Sequence, residues 1–172
     1  MIIKKLLLRP KLIIFDLDHT LWPFGVDRFD YKPPYRKTAN GQIVDKNQQV
    51  MNCYTDVPTV LRKLSSDGYD MAVASRTEYP EGANHLINLF DWDKYFKYRE
   101  IYPGSKITHF GNFQTKSKYN YNEMIFFDDE ERNIIDISPL GVTAILVDRN
   151  HGITLKVVND GLLQFASSRS KG

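Results

Sequence analysis

Residues 13–24 read IIFDLDHTLWPF. Together with Lys11 and Leu12 they open on a short apolar run, residues 11–17, rich in Ile and Phe and bounded by Pro10. Such a run reads as a strand buried on both faces. Asp16 and Asp18 stand at its end, two residues apart, with Thr20 close behind. A carboxylate buried without a partner is penalised, because desolvation disfavours its charge. Two carboxylates directly after the most sheet-like segment of the chain therefore call for a reason in their chemistry.

Working outward, residues 25–54 change character. Two adjacent prolines, aromatics and alternating charges lead to Asn40-Gly41, a hairpin-turn signal. This segment reads as a flap, a hairpin plus loop too small to be a domain. Thr55 or Asp56 can cap a helix with Pro58 in its first turn and Val57, Val60, Leu61 and Leu64 on one face. Gly68 ends it, and residues 69–74 form a second strand running into Ser75-Arg76-Thr77. Residues 80–90 read as a helix with Leu86, Ile87 and Phe90 inward. A strand over 98–102 leads to Pro103-Gly104-Ser105-Lys106, and a helix follows from 105 to about 115. A strand over 124–127 ends in Asp128-Asp129-Glu130. A helix over 132–137, a strand over 142–147 and a helix over 154–166 complete the chain.

Strands alternating with helices imply an α/β fold, a Rossmann-like parallel sheet with helices on both faces. Ligands in such sheets bind beyond the carboxyl ends of the strands. Asp16 and Asp18, Ser75 and Arg76, Lys106, and Asp128 and Asp129 all fall at or just past those ends. The pattern thus predicts that they converge on one edge.

The bulk numbers fit one domain over residues 1–172. With 42% hydrophobic residues and a net charge of +2, the chain has material for a core and no concentrated basic patch of the nucleic-acid-binding kind. A single cysteine, Cys53, excludes an intrachain disulfide framework and fits the reducing cytoplasm. No apolar run approaches the roughly 20 residues of a membrane span. The opening MIIKKLLLRP reads as an extra first strand or a frayed terminus rather than a mitochondrial address, for it has no Ser and little length. No apolar seam is left over for a partner copy, so a monomer is expected.

Four carboxylates on one edge repel one another unless a cation sits among them. Hard oxygen ligands suit Mg²⁺, which shares its remaining positions with water and phosphate. Lysine and arginine at the same edge would neutralise the equatorial oxygens of a phosphoryl group, and Ser75 adds a neutral donor. One aspartate can then serve as nucleophile and its neighbour as general acid and base.

Asp16-Leu17-Asp18-His19-Thr20-Leu21 after its strand resembles the first motif of the haloacid dehalogenase superfamily. Ser75, Lys106 and Asp128-Asp129 resemble its second, third and fourth motifs in the same chain order. FDLDHTLWPF, ASRTE, GANHLINLF, REIYPGSKITHF and FFDDEERNIIDI are similar to segments of the eukaryotic magnesium-dependent phosphatase family, across most of residues 11–166. The resemblance implies that Asp16 is nucleophile and metal ligand. It makes Asp18 the acid/base, with its backbone carbonyl a second ligand, and Asp129 the third ligand beside Asp128. Ser75, Arg76 and Lys106 would hold the phosphoryl group, with Thr20 supporting. It also implies a minimal cap, the flap alone. The substrates implied are phosphate monoesters, of phosphotyrosine proteins or of sugars and glycated amines. The family commonly carries a bulky aromatic near the position of Gly25, and Tyr at that of His19.

Two other readings compete with this one. A receiver domain of signalling proteins also gathers acids, a Ser or Thr and a Lys on a parallel sheet. Its phosphoaccepting Asp lies mid-chain, whereas here the second acid pair comes late. A non-catalytic module on the same sheet would not need every reactive position filled, and here all are. Trp22, Phe24, Tyr31 and Tyr35 read as packing, with an aromatic rim for substrate as the sharper option. None of the four histidines is expected to bind metal.

Overall fold

The computed structural model describes residues 8–169. The reading of MIIKKLLLRP falls mainly on residues 1–7, which lie outside the described residues. Seven strands are present among the described residues: β1 (Leu12–Phe15), β2 (Arg36–Lys37), β3 (Ile43–Val44), β4 (Asp70–Ser75), β5 (Phe96–Ile101), β6 (Met124–Asp128) and β7 (Thr143–Leu146). The α-helices are α1 (Val57–Ser66), α2 (Pro80–Leu89), α3 (Lys106–Ser117), α4 (Glu131–Ile137) and α5 (Leu155–Arg169).

Strand β1 pairs in parallel with β4 on one side and β6 on the other, and the sheet runs β5-β4-β1-β6-β7. Being central, β1 is covered on both faces, which is why its sequence is apolar without alternation. Ile13, Phe15, Val73, Ile125 and Phe127 pack with α1, α2 and α5 through residues such as Leu61, Leu86 and Phe165. Leu12, Ile14, Ala72, Ala74 and Phe126 face the other way, onto Phe110 and Phe113 of α3 and Ile137 of α4. The expected α/β fold, with helices on both faces of a parallel sheet, is the observed one.

Helix α1 buries Val57, Val60, Leu61 and Leu64 as its periodicity requires. Its preceding residue behaves differently from expectation. Asp56 makes no capping bond to α1; its carboxylate accepts from the backbone N–H of Leu155 at 3.0 Å, at the start of α5. Pro58 has already removed one N–H from the first turn of α1, and α5 presents its own unsatisfied donors alongside. Two ends run differently from the sequence reading. β5 starts at Phe96, and α5 continues to Arg169, whose guanidinium lies 3.6 Å over the Phe165 ring and bonds Asn122 O.

The flap is a short antiparallel hairpin of β2 and β3 turning at Gly41, where φ is 85°. It is packed down. Tyr35, Ile43, Val44 and Met51 are buried, and Tyr35 O meets His85 Nε2 of α2 at 2.9 Å. The buried Asp45 carboxylate accepts three backbone N–H groups, from Lys32, Asn47 and Gln49, each at 2.9 Å, and so holds the loop in one shape. Among the described residues no helix is long and apolar enough to cross a membrane.

Candidate active site

The ladder of β1 continues one residue past the strand, with Asp16 N–H donating to Phe127 O at 3.0 Å. The chain then doubles back. Thr20 and Leu21 N–H both donate to Leu17 O, and His19 takes a left-handed φ of 57°. This tight turn keeps Asp16, Asp18 and Thr20 at the same sheet edge. β4 delivers Ser75 and Arg76 there, β6 delivers Asp128 and Asp129, and the first turn of α3 delivers Lys106.

One carboxylate oxygen each from Asp16, Asp128 and Asp129 lie within 4.8 Å of one another. Lys106, only 1% exposed, drives its ammonium between two of them, 2.8 Å from Asp16 Oδ1 and 2.6 Å from Asp128 Oδ2. A lysine in the first turn of a helix is ordinarily a surface residue; this one is among the most deeply buried side chains of the described residues. Three further contacts hold it in line. Ser105 caps α3 by accepting from Ile107 N–H at 3.2 Å. His109, buried one turn on, meets the carbonyl oxygens of Ser75 and Tyr102 through Nε2, each at 2.9 Å, which ties α3 to the ends of β4 and β5.

The two adjacent acids of β6 point into different networks. Asp128 is saturated by protein donors: Glu130 N–H on Oδ1 at 2.8 Å, and Lys106 and Asn133 Nδ2 (2.9 Å) on Oδ2. Asp129 faces Asp16 across the Thr20 hydroxyl, which lies 3.0 Å from Asp16 Oδ2 and 3.3 Å from Asp129 Oδ1. Its other oxygen accepts from Arg149 Nε at 2.6 Å. Asp18 accepts from Trp22 Nε1 at 2.8 Å and Val26 N–H at 3.3 Å, so the flap entrance is hung on this carboxylate. Ser75 Oγ accepts from Thr77 N–H at 3.2 Å, leaving its own proton to donate; Arg76 reaches Asn133 Oδ1 at 3.3 Å. A cleft of about 150 Å³ opens over Asp16, Asp18, Ser75, Arg76 and Lys106.

Sequence reasoning missed three groups here, the Trp22 indole N–H, Asn133 and Arg149. Trp22 was read as packing, and it does stack on Phe24 and Trp92, but its indole N–H also fixes Asp18. Phe24 and Tyr35 are buried, so these aromatics form no substrate rim. Asn133 is a buried polar residue on a helix face, and Arg149 follows an edge strand at its carboxyl end; both positions carry a signal of a kind. Arg28, from the flap, also lines the cleft. Among the described residues, the carboxylate cluster is made of Asp16, Asp128 and Asp129.

Burial dominates the proton affinities. It pushes Asp16 up to about 7 against the pull of Lys106. Asp18 is likewise pushed by burial up to about 7, against the bond from Trp22. Asp128 goes up to about 6, by burial and then by the charge of Asp16. Without a cation, the folded chain thus holds protons that the unfolded chain has released. Stability then falls as pH rises from about 4 to about 7. His19, whose pKa burial lowers, works the other way, because below about pH 6.5 the unfolded chain takes up its proton more readily. In chelator, the protein is expected to melt at a lower temperature at about pH 7.5 than at about pH 5.5, and Asp18→Asn to flatten the difference. Melting temperatures equal at the two pH values in the native sequence would contradict burial as the dominant cause.

The sequence profile of the family described as Acid Phosphatase matches residues 8–168. The chain belongs to the acid phosphatase family. Among curated proteins, this acid phosphatase family member is 50% identical over 161 residues to human Magnesium-dependent phosphatase 1, spanning 94% of this chain and 90% of the human protein. Its fold is shared with a HAD-superfamily hydrolase from Ehrlichia chaffeensis, at a TM-score of 0.65 and 13% identity, over 91% of this chain and 98% of that one. It is shared too with the N-terminal part of a Bacteroides fragilis protein, described as containing a phosphatase domain complexed with Mg. That TM-score is 0.62 at 18% identity, over 94% of this chain and 42% of that one. The haloacid dehalogenase-type fold expected from the motifs is thus the fold of this acid phosphatase family member.

Proposed function

We propose that the protein is a magnesium-dependent phosphatase that hydrolyses phosphate monoesters through an aspartyl phosphate on Asp16. One observation carries the reading: Asp16 ends the central strand with Asp129 facing one side of its carboxylate, Lys106 the other, and the cleft in front. The donor set fits the metal. Hard carboxylate oxygens crowd together within 4.8 Å, and only one of the three aspartates, Asp128, is saturated by protein donors. Asp16 and Asp129 would hold Mg²⁺ through their side chains, and Asp18 through its backbone carbonyl. Bound there, Mg²⁺ supplies positive charge that lowers the carboxylates' proton affinity and neutralises phosphoryl oxygens.

The chain's own residues do the rest. Ser75, Arg76 and Lys106 hold the phosphoryl oxygens in front of Asp16. An Asp16 oxygen attacks phosphorus; the ester oxygen departs and takes the proton of Asp18, whose proton affinity burial raises above the usual carboxylate range. Asp18, now a carboxylate, takes a proton from water. The resulting hydroxide attacks phosphorus, restores the Asp16 carboxylate and leaves inorganic phosphate. Lys106 and Thr20 hold the two Asp16 oxygens in place throughout.

Phosphotyrosine proteins and sugar or glycated-amine phosphates both fall within this reading. It further takes the chain as one domain whose only cap is the flap over residues 25–54, a cytoplasmic monomer with no nucleic-acid or membrane partner. The lone Cys53 suits that compartment, since burial pushes its thiol up to about 11 and leaves it unreactive. Hydrolysis of a generic aryl phosphate tests the activity. Turnover is expected with Mg²⁺ and should vanish in excess chelator, returning when the metal is restored. Metal-independent turnover would overturn the metal's role, and absent turnover on aryl, sugar and phosphopeptide esters alike would favour a non-catalytic binding module.

A further inference from the structure

Five cationic side chains line the cleft, and four of them are engaged. Lys106 holds Asp16 and Asp128, Arg149 holds Asp129, Arg132 holds Glu130, and Arg76 reaches Asn133. Arg28 is different. Among the described residues its guanidinium has no hydrogen-bond or ion-pair partner. A cation fixed beside an anion-binding cleft with no internal counter-charge is free to meet a charge on the ligand.

The base beneath Arg28 is rigid. It sits on a single 3₁₀ turn, Val26–Arg28, pinned at three points. Val26 N–H bonds the Asp18 carboxylate, Arg28 N–H bonds Gly25 O at 3.3 Å, and Asp27 accepts from Glu78 N–H at 3.0 Å. The last contact locks the turn to the loop carrying Ser75 and Arg76. The side chain's direction is also set. A Cβ built on Gly25 would meet Arg28 Cγ and Cδ at 3.2 Å, so the arginine stem lies across the glycine. Its charge lies close enough to His19, another cleft residue, to help lower that imidazole's pKa. Arg28 therefore stands at the flap side of the cleft, apart from the phosphoryl-holding groups on β4 and α3. That side is where the ester's leaving group emerges past Asp18, which shares the Val26 anchor.

We infer that Gly25 and Arg28 form a second anion subsite, and that the preferred substrates are small phosphate monoesters carrying a further anionic group, a carboxylate or second phosphate, on the leaving-group side. The inference rests on the proposed phosphatase reading for the position of the leaving group. Gly25 serves by lacking a side chain, since any Cβ would press on the Arg28 stem.

Binding of two non-hydrolysable probes, benzylphosphonate and 4-carboxybenzylphosphonate, measured by calorimetry with Mg²⁺ present, tests it. The native sequence is expected to bind the carboxylated probe about fivefold to tenfold more tightly, as for a partly exposed charged hydrogen bond. Arg28→Gln and Gly25→Leu should each bring the ratio near one, while Arg132→Gln, whose guanidinium is already paired, keeps it. Equal binding of the two probes by the native sequence, an undiminished ratio in Arg28→Gln, or loss of the ratio in Arg132→Gln would overturn the subsite. A preserved preference in a protein that hydrolyses no aryl phosphate would instead sink the catalytic reading and leave the subsite standing.

Discussion

Asp16→Asn is expected to lower Mg²⁺-dependent turnover of an aryl phosphate by at least about 10,000-fold, because in the proposed mechanism it removes the attacking oxygen rather than a helper. The change is nearly isosteric. The amide oxygen can still accept from Lys106 or Thr20, so the contacts at 2.8 Å and 3.0 Å are only partly lost. The variant should therefore stay folded, with a cooperative thermal transition close to that of the native sequence. Steady-state assay beside the melting curve separates chemistry from unfolding. A folded Asp16→Asn protein with full turnover would remove the nucleophile from its assigned place, and the cluster would have to work through another carboxylate.

Lys106→Met is expected to produce the largest loss of stability. Among the described residues its ammonium is the only cation bonded to both Asp16 and Asp128, and all three groups are buried. Removing one partner of a buried ionic network leaves uncompensated charge and costs about 3–5 kcal/mol. That is a large share of the roughly 5–15 kcal/mol by which domains are stable. Urea denaturation in chelator gives the value, and phosphate binding should weaken in parallel. The double variant Lys106→Met, Asp128→Asn provides the control, because neutralising Asp128 removes one of the stranded charges and should recover part of the loss. A Lys106→Met protein as stable as the native sequence would mean that the lysine only contacts ligand and does not hold the acids together.

These two residues differ in how they were legible. The sequence placed Asp16 at the end of a buried strand, and the α/β rule put that strand end on the ligand edge. Its chemistry could be argued before any coordinates. Lys106 was legible as a residue in the right loop, but its depth was not. Its partner Asp16 is 90 positions away, and nothing in a helix's first turn says whether its side chain faces solvent or the sheet.

Local patterns in the sequence determined the elements, their order and the shared strand edge. Short continuous apolar runs, period-3.6 apolar spacing and the turn residues act over a few residues and survive without tertiary context. The flap hairpin at Asn40-Gly41 and the buried face of α1 were decided the same way. Tertiary structure alone decided how the two adjacent acids are held, Asp129 facing Asp16 across the Thr20 hydroxyl and Asp128 tied down by protein donors. Asp128 and Asp129 have the same chemistry and differ in direction, and direction depends on Lys106, Asn133, Thr20 and Arg149 arriving from four separate segments. It alone turned Asp56 from a cap of its own helix into a cap for α5, and Trp22 from core filling into a donor to Asp18. Charge and hydrogen bonds act through space at about 3 Å, and the sequence separation of the groups they join is invisible to any local pattern.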